Sequence, residues 1–112
     1  ELLANKKIPV IAPIGIDKTE QVYNINADTV AGKISEKIKA DRLLLMTDVP
    51  GVNDKFGKLI KKLTISEANN LISSGVITGG MIPKILTCIS CLKEGVSGVV
   101  IIDGRKPHAV LY

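Results

Sequence analysis

Aromatic residues are nearly missing from this chain. Its 112 residues contain no Trp, two Tyr and one Phe. The core must therefore be aliphatic, and there is little on which unpaired bases could stack. Arginine is as scarce, with only Arg42 and Arg105, so bidentate reading of base edges is poorly provided for. The net charge is +4. The one dense basic run, Lys55, Lys58, Lys61 and Lys62, has no useful interleaving of aromatics or arginines. It reads as a solvated loop face, and no nucleic-acid partner is expected. Histidine occurs once, at His108, so Cys88 and Cys91 lack the further ligands of a zinc site. No metal site is expected. Redox thiols of this spacing sit at a helix N-terminus, where the dipole lowers their pKa. This pair falls inside a helical pattern and reads as two small apolar side chains in a reducing compartment. No apolar run approaches the ~18 residues of a membrane span. The uncharged stretch 8–16 is interrupted by Pro9 and Pro13, and no membrane partner is expected. Residues 1–7 lack the basic start and apolar core of a signal peptide. The first residue is Glu, not Met, so the chain reads as an internal segment of a longer protein.

What is present is a load of Ile, Leu and Val within a hydrophobic content of 46%. A chain of this size makes one domain or part of one. Residues 1–7 read as the end of a helix, followed by a strand at 8–14, a polar turn at 15–20 and an extended or irregular segment at 21–25. From Ala27 the spacing of Val30, Ala31, Ile34 and Ile38 predicts a helix with one apolar stripe. Residues 42–47 (RLLLMT) read as a buried strand, broken by a turn at 48–51. Asp54, Gly57 and Lys58 suit a hairpin. Thr64 and Glu67 form a capping box that opens a helix ending near Ser74, with Gly75 as its stop. After Gly79 and Gly80, the spacing of Ile82, Ile85, Leu86, Ile89 and Leu92 predicts another helix. Residues 99–102 (VVII) read as a strand, turned by Asp103 and Gly104. Strands alternating with helices predict an α/β fold, three-layer α/β/α, with a mainly parallel sheet covered on both faces and incomplete at both ends.

Ligands of open α/β sheets bind beyond the carboxyl ends of the strands, and the polar residues collect there. Asn24, Asn26 and Asp28 stand at a predicted helix start, where short polar side chains bind an anion, hold a lysine or simply cap. The turn at 48–51 puts an Asp at a strand end, although Pro-Gly turns are common for structural reasons alone. It is not a P-loop, because the glycine spacing is wrong and Leu59 stands where Ser or Thr is needed. Thr78, Gly79 and Gly80 precede a helix carrying Lys84 in its first turns. The helix dipole disfavours a lysine there unless an anion compensates. Together these residues describe an anion-binding, phosphate-handling face. They leave a binding module and a phosphotransferase equally open.

Three ordered stretches, VYNINADTVAG (22–32), LLLMTDVPGV (43–52) and VITGGMIPK (76–84), resemble the acetylglutamate kinases of the amino acid kinase family. IPVIAPIG (8–15) and IIDGRKPH (101–108) extend the likeness over essentially the whole chain. The resemblance implies an amino acid kinase-like fold and transfer of the γ-phosphoryl of ATP to the side-chain carboxylate of N-acetyl-L-glutamate, an early step of arginine synthesis. It implies that Lys84 and Asp28 are catalytic, Lys84 neutralising charge on the transferred group and Asp28 organising the lysine. Asn24 would hold acetylglutamate, with Asn26 in support. Asp48, Val49, Pro50, Gly51, Val52 and Asn53, with Val76, Ile77 and Thr78, would line the nucleotide. The resemblance further implies Mg2+ carried by the nucleotide, a homo-oligomeric full-length enzyme, and a cytoplasmic or organellar location. These 112 residues correspond to the family's carboxyl-terminal, nucleotide-binding portion, so the chain alone is expected to be inactive. Its glycine-rich phosphate loop and the arginine that grips the substrate lie in an amino-terminal half outside them. Asn53 stands where an apolar residue is common, and Val100 where some arginine-inhibited members carry His. A stand-alone nucleotide-binding or assembly module, or a related kinase with another carboxylate substrate, is the alternative.

Overall fold

The computed structural model describes residues 2–111. In chain order these residues form β1 (Ile14–Ile16), β2 (Val22–Asn24), α1 (Ala27–Ile38), β3 (Leu43–Thr47), α2 (Ile65–Ser73), α3 (Met81–Lys93) and β4 (Val99–Asp103). A single 3-10 turn, Ala109–Leu111, follows. β3 and β4 pair in parallel, Leu43 opposite Val99 through Thr47 opposite Asp103. This is the α/β arrangement with parallel pairing that the alternating pattern predicts.

The amino-terminal segment ends like a helix. Lys7 N–H donates to the Leu2 carbonyl at 3.1 Å and Lys6 N–H to that of Leu3 at 3.0 Å. Lys6 itself is left-handed at φ 55°, a Schellman closure. The strand expected at 8–14 does not form. Ile8 and Val10 are 90% and 97% exposed. Pro9 and Pro13 offer no N–H to a ladder, and no described strand lies beside the segment. Pairing begins only at Ile14, in a two-stranded antiparallel ribbon with Asn24 opposite Ile14. Residues 15 and 16 are therefore strand, and the turn is confined to 17–20. Asp17 organises it, its Oδ1 accepting from the Thr19 N–H at 2.8 Å and the Gln21 N–H at 3.1 Å. The ribbon packs on no other described helix or strand.

The helices behave more as predicted. Thr64 and Glu67 close the capping box of α2. Gly75, at φ 71°, ends that helix in the left-handed region that favours glycine. The hairpin forms through Asn53 opposite Leu59, with Asp54 Oδ1 accepting from the Phe56 and Lys58 N–H groups.

Two apolar clusters make the core. Leu43, Leu45, Cys88, Cys91 and Val96 form one, and Val52, Ala68, Ile77, Ile85 and Ile89 the other. Both use the helix-covered face of the sheet. Alternation along β3 leaves Leu44 and Met46 exposed on the opposite face. Among the described residues the helices supply one layer, on the face carrying Leu43 and Leu45.

Candidate functional site

α1 and α3 lie side by side and run in the same direction. Their contacts climb in register. Asp28 meets Lys84, Gly32 faces Thr87 and Cys91, Glu36 accepts from Ser90, and Lys39 donates to the Glu94 carbonyl. At the far end Ser97 N–H bonds the Ala40 carbonyl and Leu43 N–H that of Gly98. Both helices thus finish where the strands begin. A helix of 12 residues spans ~18 Å, and a strand of 5 residues ~17 Å. The helices' N-termini therefore reach the carboxyl edge of the sheet.

The face of α1 that meets α3 is not the predicted stripe. Its contacts with α3 come from Asp28, Gly32 and Glu36, while of the stripe Ala31 packs on the Leu43–Cys91 cluster and Ile38 is exposed. Gly32 permits the approach, because a Cβ there would stand 2.7 Å from Thr87 Cγ2. The cysteines belong to the same packing. Cys91 is fully buried, with its thiol 3.6 Å from the Gly32 carbonyl. Burial, and then the charge of Cys91, push the Cys88 thiol up to about 11. Such thiols are poor nucleophiles and ligands.

At the carboxyl edge, Lys84 Nζ donates to Asp28 Oδ2 at 2.6 Å, each side chain 22% exposed. These residues are 56 positions apart in sequence. Asp28 lies in the first turn of α1, where the dipole favours an acid. α3 has no acid in its own first turn and no side-chain cap. Asp28 supplies the negative charge that its neighbour's N-terminus lacks. Asn26 caps α1, Oδ1 accepting from the Thr29 N–H at 3.2 Å. Asn24 ends β2, exposed. The three polar residues thus divide into a strand end, a cap and an ion-pair partner.

The predicted nucleotide residues fall into two groups. Asp48, Val49, Pro50, Asn53 and Thr78 are exposed and Gly51 and Val76 half-buried, whereas Val52 and Ile77 are core residues at 7% and 3% exposure. The side chains of Val52 and Ile77 point into the protein, so only their backbone remains for a ligand. Even that is partly committed. The Val52 carbonyl accepts from Ile60 N–H at 2.8 Å, and the Val76 and Ile77 N–H groups both donate to the Leu71 carbonyl at 3.0 Å. Thr47 Oγ1 donates to Asp48 at 3.3 Å. Sequence reasoning reads Asp103 and Gly104 as a turn and misses the ion pair there. Asp103 is buried, and Arg105 donates to both its oxygens at 2.9 Å. That bond holds the Asp103 carboxyl down at about 2. The Asp-x-Arg spacing after a strand is the signal available for it.

A groove of about 640 Å³ opens beneath Pro50 and Val52, lined by Ile65, Ile85, Ile89 and Val99. It holds neither Asp28 nor Lys84, and its walls are largely apolar. Among the described residues, no three His, Cys, Asp or Glu side chains come together to hold a metal ion. Nor, among the described residues, is any helix long and apolar enough to cross a membrane.

Residues 1–103 match the amino acid kinase family. The acetylglutamate kinase of Nitrobacter winogradskyi is 58% identical over 111 residues, 99% of this chain and 37% of that protein. The acetylglutamate kinase of Bartonella tribocorum is 54% identical over 98% of the chain and 36% of its own length. The chain therefore spans little more than a third of these relatives. Among solved structures, smu.665 of Streptococcus mutans UA159 superposes with a TM-score of 0.85 at 39% identity, over 91% of this chain and 41% of that one. The N-acetylglutamate synthase of Neisseria gonorrhoeae, solved with coenzyme A and L-arginine, superposes at 0.91 over 98% of this chain and 26% of its own. At 22% identity, that likeness concerns the fold alone.

Proposed function

The chain belongs to the amino acid kinase family, and from that premise we propose that it is the nucleotide-binding, carboxyl-terminal portion of an acetylglutamate kinase. The whole enzyme would transfer the γ-phosphoryl of ATP to the side-chain carboxylate of N-acetyl-L-glutamate. A carboxylate oxygen forms a bond to the γ-phosphorus, the bond to the bridging oxygen of ADP breaks, and an acyl phosphate results. The observation that carries the reading is the Asp28–Lys84 pair, joined at 2.6 Å.

Phosphoryl transfer asks the protein chiefly for positioning and charge stabilisation. Lys84 offers a cation at the carboxyl edge of the sheet, beside helix N-termini suited to an anion. Asp28 holds the ammonium group in place through its carboxylate. Asn24 is exposed one strand away and would hold acetylglutamate. Asn26 has committed its Oδ1 to the cap, so its amide NH2 is the group left to support the substrate. Asp48, Val49, Pro50, Gly51, Asn53 and Thr78 would border the nucleotide, with Val52, Val76 and Ile77 contributing backbone. With no cluster of metal-ligating side chains among the described residues, Mg2+ would ride on the nucleotide phosphates. Arginine synthesis, a homo-oligomeric whole enzyme, and a cytoplasmic or organellar location follow from the resemblance and rest on no contact in the structure.

The test is a chimera in which this chain replaces the matching segment of the Nitrobacter winogradskyi enzyme, with acyl phosphate trapped as hydroxamate. Lys84→Ala should lower kcat by about 10²–10³, the scale of a lost transition-state donor. Trapping at the parental rate by that variant would overturn the role of Lys84. Isothermal titration of the 112-residue chain with Mg-ATP, then acetylglutamate, separates a bare nucleotide-binding module from a kinase portion. Hydroxamate formed by the chain alone would refute its expected inactivity.

A further inference from the structure

The two parallel strands end level, Thr47 opposite Asp103. Beyond them the chain continues on one side as the turn at 48–51 and on the other as 104–106. The two turns are tied together. Gly104 N–H donates to the Thr47 carbonyl at 2.8 Å. A Cβ on Gly104 would meet Met46 Cε at 3.3 Å, so the second turn is seated directly on the end of β3. The Asp103 carboxylate then takes three bonds from Arg105. The backbone N–H reaches Oδ1 at 3.1 Å, Nε reaches Oδ1 at 2.9 Å, and Nη2 reaches Oδ2 at 2.9 Å. The fork fixes the plane of the guanidinium, yet 62% of the Arg105 side chain stays exposed.

Asp103 is buried while most of Arg105 is exposed, so the fork satisfies a buried carboxylate and fixes the turn at 104–106 that Gly104 ties to the end of β3. We propose that Arg105, locked by Asp103, is a positioning residue that holds the turn at 48–51 in its ligand-ready shape. The proposal rests on the reading of that turn as part of the nucleotide site.

Arg105→Gln and Arg105→Lys test it, each keeping a donor for the buried Asp103 carboxylate while losing the fork. Amide exchange is followed by NMR at Val49, Gly51 and Gly104 in the 112-residue chain, with Leu45 and Cys88 as references. Steady-state kinetics are measured in the chimera. Arg105→Gln should speed exchange at Val49 and Gly51 roughly three- to tenfold and leave the references unchanged, the scale of a lost charge-assisted bond near the surface. The KM for Mg-ATP should rise roughly five- to tenfold, with kcat within about twofold. Lys keeps the charge but cannot span both carboxylate oxygens, so it should not restore either value. Unchanged exchange at 48–51, or exchange that rises equally in α1 and α3, would overturn the proposal. Faster exchange with an unchanged KM would overturn it too, leaving the clamp a device of the fold. A parental chimera that transfers no phosphoryl group defeats the functional reading instead, and the exchange data still decide the clamp.

Discussion

Gly32→Ala sets two known effects against each other at one position. Alanine favours a helix by about 1 kcal/mol over glycine, so on an open face the change would stabilise the protein. Gly32 is buried where α1 meets α3. Its new Cβ would stand 2.7 Å from Thr87 Cγ2 and 3.3 Å from Cys91 Sγ. Carbon atoms settle at ~3.5–4.0 Å, so something must move by about 1 Å. Thr87 is β-branched on a helix and stiff at χ1, and Cys91 is fully buried. The helices themselves must part. Overpacking of this kind costs ~1–3 kcal/mol, which outweighs the propensity gain and leaves a net loss of about 1 kcal/mol. For a chain this size that is a fall in Tm of ~4–8 °C. Urea unfolding of the parent, Gly32→Ala, Thr87→Ser and the double variant isolates the clash, because serine lacks the offending methyl. The double variant should be more stable than the sum of the singles implies, by ~1 kcal/mol of coupling. The Asp28–Lys84 bond lies one helical turn away, so transfer activity of the chimera should fall further than stability does. If Gly32→Ala instead raises stability by the full propensity term and shows no coupling to Thr87, the close packing of α1 on α3 is wrong.

Thr64→Ala removes the side-chain half of the α2 capping box and should lower the urea midpoint by the equivalent of ~1 kcal/mol, with no change in m. Thr64→Ser should keep most of it. Asp103 is held at about 2 by Arg105, below its ordinary value near 4. A depressed carboxylate stabilises the fold above its unfolded pKa, and that contribution drains away as pH falls from about 4 towards 2. Acid titration of stability should lose this limb in Asp103→Asn, and an unaltered limb would show that the Arg105 bond is not formed in solution.

The helices were legible because their signals are local. Ile82, Ile85 and Ile89 repeat at helical spacing, and Thr64 with Glu67 announces a helix start without reference to anything distant. The strand at 8–14 misleads because an apolar run specifies burial only where a partner strand exists, and two prolines weaken its ladder. The α1–α3 contact was illegible for a different reason. Hydrophobic periodicity points to Val30, Ala31, Ile34 and Ile38, whereas the contacts with α3 come from Asp28, Gly32 and Glu36. Small and polar residues pack closely there without leaving an apolar stripe. The Asp103–Arg105 fork escaped notice because two residues in a turn look alike whether or not their side chains meet.

Energetics also bear on why Lys84 sits where it does. A cation at a helix N-terminus costs ~0.3–1 kcal/mol against the dipole, and α3 has no acid of its own in that turn. An ion pair near the surface returns ~0–1 kcal/mol. The two quantities nearly cancel, so the Asp28–Lys84 pair adds little to the stability of the fold, and most residues at position 84 would serve α3 as well or better. Asn26 already caps α1, so Asp28 is not needed as a cap. Lys84 is thus not accounted for by the helix that carries it, whereas Asp28 suits the first turn of its own. The balance changes once an anion arrives. A phosphate at the N-termini of the two helices turns the unfavourable placement of Lys84 into a favourable one, while Asp28 keeps the ammonium from swinging into solvent. A pair nearly neutral for folding is what the proposed anion site requires, and on that proposal Asp28→Asn should weaken phosphoryl transfer in the chimera while leaving its urea midpoint almost unmoved.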